Sequence, residues 1–108
     1  MSELSETEFR RHVREALDRL HDQIMELDAD EIDAIPTEGV LTIEFPTGGP
    51  FVLTQQTPAR ELWLSANFKA AHFRFAEGGW VETATGEALT AAMKRLVEAR
   101  LGHAVSIA

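Results

Sequence analysis

Residues 40 to 83 restrict the possible folds more than any other part of the chain, because their apolar residues alternate with polar ones. Alternation with a period of two is typical of half-buried strands and does not suit an amphipathic helix. Glycine, proline and polar turns divide this region into short stretches. We predict strands at 40–45, 51–55, 61–65, 71–75 and 80–83.

The segments on either side of this region have the period of a helix. The first predicted helix runs from about Glu6 to about Leu27, and Ser5 with Glu8 forms a capping box at its start. The second runs from about Glu87 to Leu101, and Gly102 suits the left-handed residue that ends a helix. Strands grouped between two helices predict an α+β fold. We expect a single domain over residues 1–108, a two-layer α-β sandwich whose antiparallel sheet of five or more strands carries both helices on one face.

The composition excludes several classes of function. The chain has no cysteine, which rules out disulfides and thiolate chemistry and fits a reducing compartment. It has no basic stripe for phosphate binding, so nucleic acid is not an expected partner. Neither a signal sequence nor a long apolar run is present, so no membrane association is expected and we predict a cytoplasmic protein.

The charge of the chain is concentrated in its first third. Residues 1–33 hold eleven acids and four arginines, whereas residues 34–108 hold seven acids and six basic residues, for a net charge of -8. No base occurs between Asp22 and Asp33. Such a field repels anions and attracts cations or a basic protein surface.

The acids of the first helix fall into two zones. Near its start, four pairs at i, i+4 can neutralise one another: Glu6/Arg10, Arg11/Glu15, Arg14/Asp18 and Glu15/Arg19. Farther along, Asp18, Asp22 and Glu26 form a column of like charge that also opposes the helix dipole. The acids then continue past the helix end at Asp28, Asp30, Glu31 and Asp33. A small, repeated loss of helix stability suggests that this group of acids has a function. A solvated face that serves only solubility also accounts for it.

Carboxylate oxygens are hard ligands, suited to Ca²⁺, Mg²⁺, Mn²⁺ and iron. A row of exposed acids without a preformed cage would bind such ions weakly and with little selectivity. The spacing lacks the glycine and the terminal glutamate of an EF-hand loop. His21 borders the acids and is either an additional nitrogen ligand or an ordinary surface histidine.

Trp63 is the second anomaly of the sequence. Leu62 and Leu64 are expected in the core, so the pleat of the strand directs Trp63 to the opposite, solvent-facing side. Other residues of the same outer face would be Thr42, Glu44, His72 and Arg74. An exposed tryptophan among polar residues is typical of an interface anchor. A bulge or a covering loop that buries it is the alternative.

No catalytic constellation is evident in the sequence. His12, His21, His72 and His103 are scattered, and no H-E-x-x-H, H-x-x-E-H or G-x-S-x-G pattern occurs. The paired glycines at 48–49 and 78–79 are suited to turns and not to a phosphate-binding loop. We therefore expect a protein that is not an enzyme.

The order of elements and several short motifs resemble the frataxin family, of the bacterial CyaY type. The resemblance extends over essentially the whole chain, and the strongest single feature is Gln56-Thr57-Pro58 followed five positions later by Trp63. The other matching pieces are the acidic first helix with its extension to Asp33, and the segments 39–45, 61–65, 72–73, 79–81 and 86–87.

The resemblance implies an iron-binding regulator or adaptor of iron–sulfur cluster assembly, which docks its acids on a cysteine desulfurase near the scaffold protein. It implies weakly bound Fe²⁺ or Fe³⁺ at Asp22, Glu26, Asp28, Asp30, Glu31 and Asp33. Partner-binding residues would be Asp22, Glu26, Glu44, Gln56, Trp63, His72 and Arg74. The protein would be a monomer in the absence of excess iron. The alternative is an acidic protein-interaction module with no physiological metal.

Overall fold

The computed structural model describes residues 4–108, so Glu3, one of the acids counted above, lies outside the described part. The elements in chain order are α1 (Glu6–Met25), β1 (Asp33–Thr37), β2 (Val40–Glu44), β3 (Phe51–Gln56), β4 (Glu61–Ala66), β5 (Lys69–Ala76), β6 (Gly79–Glu82) and α2 (Leu89–Leu101). The strands form one antiparallel sheet in the order β1-β2-β3-β4-β5-β6. The predicted α+β sandwich is confirmed.

The sheet contains β1 in addition to the five predicted strands. Pro36 is locally unfavourable in a strand, but β1 lies at the edge of the sheet, where a proline is tolerated because its missing N–H leaves no neighbouring strand unpaired. β1 pairs with β2 through a tight turn at Glu38-Gly39. Asp33, expected in a loop, is therefore the first residue of a strand.

The core lies between the helices and one face of the sheet. On the helix side, α1 contributes the predicted apolar stripe, with Phe9, Val13, Leu17, Leu20 and Ile24 all buried. The strands contribute alternating buried residues, such as Leu62 and Leu64 in β4. Trp80 is also buried, with its ring edge-to-face against Phe9 and Phe75. No helix or strand of residues 4–108 covers the opposite face of the sheet.

The helix boundaries differ slightly from the predicted ones. The Ser5–Glu8 capping box is present, but α1 ends at Met25 because the next N–H groups turn back to close a tighter final turn. α2 begins at Leu89 and not at Glu87, because Ala88 still pairs with Val81 beside β6. Gly102 has a φ of 81° and ends α2 as predicted.

Of the four ion pairs predicted along α1, only Glu6–Arg10 is formed within residues 4–108, at 2.8 Å. Glu15 instead lies 3.3 Å from His12, whose ring is stacked on Phe75. Exposed pairs at i, i+4 gain only a few tenths of a kcal/mol, so such side chains are easily drawn to other positions.

The fold brings several chain reversals to one end of the molecule. The start of β1 and the end of β2 lie there, because Asp33 is paired with Glu44. Arg100, near the end of α2, donates hydrogen bonds to Gly49 O at 2.8 Å and to Asn67 Oδ1 at 2.7 Å, so the β2–β3 and β4–β5 turns are neighbours at the same end. The acids that follow the C-terminal end of α1 lead into β1 at this end, and we therefore call it the ridge end. The β1–β2 and β5–β6 turns lie at the opposite end.

Candidate metal-binding and partner-binding surface

Six acids follow one another closely along the chain from the end of α1 to the start of β1, and we call them the acidic ridge: Asp22, Glu26, Asp28, Asp30, Glu31 and Asp33. Five of them are exposed and Glu31 is half-buried. Asp22 lies on the last turn of α1, Glu26 caps its C-terminal end, and the other four follow in the loop and at the start of β1. Neither of the Arg–Glu ion pairs in residues 4–108 involves a ridge acid. The predicted lack of compensation is therefore a feature of the structure.

The loop acids also make local hydrogen bonds that shape the chain. Asp28 Oδ1 accepts a hydrogen bond from Asp30 N at 2.9 Å, and Asp33 Oδ1 accepts one from Ala34 N at 2.8 Å. Each bond occupies one oxygen of an exposed carboxylate. These bonds hold the loop in a turn and leave the charge of both groups facing solvent.

The register of the sheet extends the anionic surface onto a second strand. Asp33 in β1 lies directly opposite Glu44 in β2, and both are exposed on the outer face. Like charges at opposed positions destabilise a strand pair. Glu44 thus lies on the outer face as expected, and its direct pairing with Asp33 was not foreseen because β1 was missed.

Histidines are the only basic side chains that contact the ridge in the described residues. His21 Nδ1 lies 3.4 Å from Asp22 Oδ1, and His103 Nε2 lies 2.9 Å from Glu31 Oε2. The hydrogen bond to Glu31 raises the pKa of His103 above its ordinary value of 6.5, and a second bond to Ala104 O adds to the effect. Sequence reasoning did not assign His103 to the ridge, because nothing local relates two positions so far apart in the chain.

The ridge offers suitable donor atoms for a hard cation but no closed coordination site. Within the described range, no three side chains of His, Asp or Glu are close enough together to hold a metal ion. Hard cations prefer six or more oxygen ligands, most of which would have to be water here. The geometry fits an ion held by one or two carboxylates as exchangeable cargo and does not fit a permanent metal centre.

Trp63 lies on the outer face of the sheet, as predicted, with 37% of its surface exposed. Its indole is stacked on the ring of His72 with centroids 4.2 Å apart and planes inclined by 6°. Trp63 Nε1 donates a hydrogen bond of 2.8 Å to Glu61 Oε1, which also lies 3.6 Å from His72 Nδ1. These three residues form what we call the tryptophan cluster: Glu61, Trp63 and His72.

The remaining predicted partner-binding residues surround this cluster. The half-buried Gln56 and the exposed Arg74 are the two strand partners of Glu61. Glu61 itself was not predicted as a site residue, although it lies two positions before Trp63 on the same face, a spacing that signals side-chain contact. β4 is three strands away from β1, roughly 14 Å at the usual strand spacing. Glu61 begins β4 at the end of the sheet opposite the ridge end, so the tryptophan cluster is separated from the ridge both across the sheet and along the strands.

The comparison with known proteins agrees with this architecture. A family model described as a frataxin-like domain matches residues 2–103. The chain belongs to the frataxin family. It is 40% identical over 101 residues to the iron-sulfur cluster assembly protein CyaY of Ralstonia nicotianae, covering 90% of this chain and 88% of that protein. It is 31% identical over 107 residues to the protein of the same name from Thioalkalivibrio sulfidiphilus, covering 96% of this chain and 100% of that protein.

Solved structures of the frataxin family have the same fold. The frataxin of Psychromonas ingrahamii superimposes with a TM-score of 0.88 at 19% identity, covering 95% of this chain and 97% of that one. A trimeric frataxin from the yeast Saccharomyces cerevisiae gives a TM-score of 0.69 at 27% identity, covering 94% of this chain and 84% of that one. Within residues 4–108, no helix has the length and apolar character that crossing a membrane requires.

Proposed function

We propose that this frataxin family member is a non-enzymatic, iron-responsive adaptor of iron–sulfur cluster assembly. It docks the acidic ridge on a basic surface of a cysteine desulfurase and thereby modulates cluster formation. The names of its curated relatives, iron-sulfur cluster assembly protein CyaY, support the general role. The observation that carries the proposal is the ridge itself, whose acids have no arginine or lysine partner among residues 4–108.

The electrostatics of the ridge support docking on a basic protein. Uncompensated charge of one sign steers a partner of opposite sign and raises the association rate more than it raises the final affinity. The like charges of Asp33 and Glu44 repel each other across β1 and β2, and a cationic partner would relieve that repulsion. The repulsion among these acids is therefore expected to be smaller in a complex with a cationic partner than in the free protein.

Iron enters the proposal as an exchangeable cargo. Fe²⁺ and Fe³⁺ accept carboxylate and water oxygens, and the exposed ridge acids can supply such oxygens without rearranging the fold. A bound cation would neutralise part of the ridge and weaken its attraction for a basic partner. This coupling would make docking, and with it the rate of cluster formation, respond to iron.

The tryptophan cluster supports a second contact with the desulfurase–scaffold assembly. The stack on His72 and the hydrogen bond to Glu61 fix the indole in one orientation before any partner arrives. An exposed aromatic that is already ordered loses little side-chain entropy on binding and is a typical anchor. Gln56 and Arg74 would add polar contacts around it.

Isothermal titration with Fe²⁺ under anaerobic conditions tests the iron part of the proposal. The test variant carries Asp22→Asn, Glu26→Gln, Asp28→Asn and Asp30→Asn. We expect weak binding to the wild type and a loss of most of it in the variant. In parallel, adding iron to the wild type should change both its affinity for the desulfurase and the turnover of that enzyme. If iron leaves both quantities unchanged, the coupling is wrong.

A protein-interaction module without a physiological metal remains the second candidate. It is favoured by one observation, the absence of three convergent ligands among the described residues. The same titration separates the two candidates. This module would bind the desulfurase through the ridge, and its affinity would not depend on iron as long as the iron concentration is too low to neutralise the ridge acids.

A further inference from the structure

Phe68, at the tip of the β4–β5 hairpin, has both an unusual backbone conformation and an unusually exposed side chain. Ala66 pairs with Lys69, so the turn consists of Asn67 and Phe68 alone. Both have a positive φ, 54° and 65°, as both central residues of a type I′ turn do. Phe68 is exposed to 107% of its reference surface, so its ring has essentially no contact with the rest of the protein.

Two other hairpins in the described chain have turns of the same length, and in the β5–β6 hairpin both turn residues, Glu77 and Gly78, also have a positive φ. The β1–β2 turn is Glu38-Gly39 and the β5–β6 turn is Glu77-Gly78, each with two residues between the paired strand ends. In both, the second central residue is a glycine, with φ of 72° and 84°. Asn-Gly is among the most favourable sequences for such a turn, because glycine has no Cβ to clash in the left-handed region. Phenylalanine at the equivalent position lacks that freedom.

Phe68 therefore carries a backbone penalty and a solvent-exposed ring without any compensating contact in the monomer. A bulky residue with positive φ is an outlier that calls for an explanation outside local structure. The turn is also held in place, because Asn67 Oδ1 accepts a hydrogen bond from Arg100 Nη2 at 2.7 Å. The ring is thus presented outward from a fixed turn.

The position of this turn relates it to the acidic ridge. The bonds of Arg100 place it beside the β2–β3 turn, at the same end of the sheet as Asp33 and Glu44. The distance across the sheet from β1 to the β4–β5 turn is roughly 17 Å at the usual strand spacing. A protein interface of ordinary size, about 800 Å² on each partner, is wide enough to include both features.

We propose that Phe68 is an apolar anchor that inserts into a pocket on the desulfurase, next to the basic surface that receives the ridge. This inference rests on the proposed function and adds a contact of different chemistry to the same docking event. The ridge supplies charge complementarity and long-range attraction, and Phe68 supplies burial of apolar surface at short range. The apolar contact is insensitive to salt, whereas the ridge contact is screened by it.

The test compares the affinity of the purified desulfurase for the wild type, Phe68→Gly and Phe68→Leu. Phe68→Gly creates the favourable Asn-Gly turn, so we expect its thermal midpoint to rise by about 3 °C. We expect its affinity for the desulfurase to fall by about tenfold, at both low and high salt. Phe68→Leu should retain most of the affinity, because leucine also fills an apolar pocket. A loss of binding in a more stable protein cannot be attributed to misfolding.

A double variant, Phe68→Gly with Gly78→Phe, is the matched control. It keeps the composition and moves the aromatic ring to the equivalent position of the β5–β6 turn, where a Cβ meets no atom within 4 Å and the φ of 84° imposes the kind of backbone strain that Phe68 has in the wild type. We expect the double variant to bind as weakly as Phe68→Gly. Restored affinity would mean that any exposed ring suffices and would overturn the proposal.

The remaining outcomes are equally decisive. If Phe68→Gly binds as tightly as the wild type while loss of ridge charge weakens binding, the anchor is wrong and the proposed function stands. If the wild type does not bind the desulfurase at all, both fail. If sedimentation shows that the wild type associates with itself and that Phe68→Gly does not, the ring serves contacts between copies and the proposal is overturned.

Discussion

Arg100 connects the C-terminal end of α2 to two turns of the sheet. Its guanidinium lies 4.6 Å from the centroid of the Phe45 ring and 4.8 Å from that of Phe51. It also donates hydrogen bonds to Gly49 O and Asn67 Oδ1. A planar group with several donors can stack on rings and bind acceptors at once, which an ammonium group cannot do.

We therefore expect Arg100→Ala to lower the free energy of unfolding by about 2 kcal/mol, since it removes both the stacking and the hydrogen bonds. The free energy of unfolding of Arg100→Lys should lie between those of the wild type and Arg100→Ala, because lysine keeps the charge but not the planar group with several donors. Urea unfolding measures the effect. Lys94→Ala, at an exposed position of the same helix, is the control and should stay within about 0.5 kcal/mol of the wild type. Equal losses in Arg100→Ala and Lys94→Ala would contradict this role.

His103 provides a second test at the level of single residues. Its hydrogen bond to Glu31 raises its pKa above 6.5 in the folded state. The stabilisation from this contact is complete below the unfolded pKa, near 6.5, and is lost as the pH rises through the higher folded pKa. Glu31→Gln should return the pKa of His103 toward 6.5, measured by NMR titration of the ring protons. Glu38→Gln, at the opposite end, should not move it.

The stability difference between the wild type and Glu31→Gln should depend on pH in the same way as the His103–Glu31 contact. It should be largest at mildly acidic pH and should diminish at alkaline pH, where His103 is neutral in both states. A difference that grew with rising pH would show that Glu31 acts through another partner.

At the level of elements, α1 carries a cost that should be measurable in the free protein. Asp22 and Glu26 repel each other at i, i+4 and lie near the negative end of the helix dipole. The double variant Asp22→Asn, Glu26→Gln should therefore be more stable than the wild type, by a few tenths of a kcal/mol at low salt. The gain should vanish at about 1 M salt, where the Debye length is near 3 Å. A loss of stability at low salt would contradict the electrostatic interpretation of the ridge.

The elements differ in how well the sequence predicts them, for physical reasons. α1 is predictable because its cap and its apolar stripe are local patterns, and both occur in the structure. β1 is not, because Pro36 is locally a breaker and is acceptable only once β1 is known to be an edge strand. That knowledge depends on pairing with β2 and not on the five residues themselves.

The same distinction applies to the candidate surface. The outward orientation of Trp63 follows from the pleat of one strand, and the exposure of the ridge acids follows from helix spacing and loop composition. The contact of Glu31 with His103 joins positions 72 residues apart, and Asp33 meets Glu44 only through the register of a strand that was missed. Neither has a local signal. The exposure of Phe68 required knowledge of the exact turn residues.

At the level of the whole molecule, the proposed function depends on an uneven distribution of charge over the surface of the fold. Six acids without arginine or lysine partners follow one another closely along the chain at the ridge end, whereas Glu38 and Glu77, which also lack such partners, lie singly in turns at the opposite end. The molecule is therefore oriented before contact when it approaches a basic surface. Partners of the ridge end should be sensitive to salt, and changes of equal charge at the two ends should have unequal effects.

The most direct test of this account is the affinity of the cysteine desulfurase for two variants of equal charge. One carries Asp22→Asn and Glu26→Gln in the ridge, and the other carries Glu38→Gln and Glu77→Gln at the opposite end. At about 50 mM salt we expect the ridge variant to bind about tenfold more weakly than the wild type, with a smaller dependence on salt, and the other variant to bind within about twofold of it. Equal weakening in both variants, or none in the ridge variant, would contradict the claim that the ridge is the docking surface.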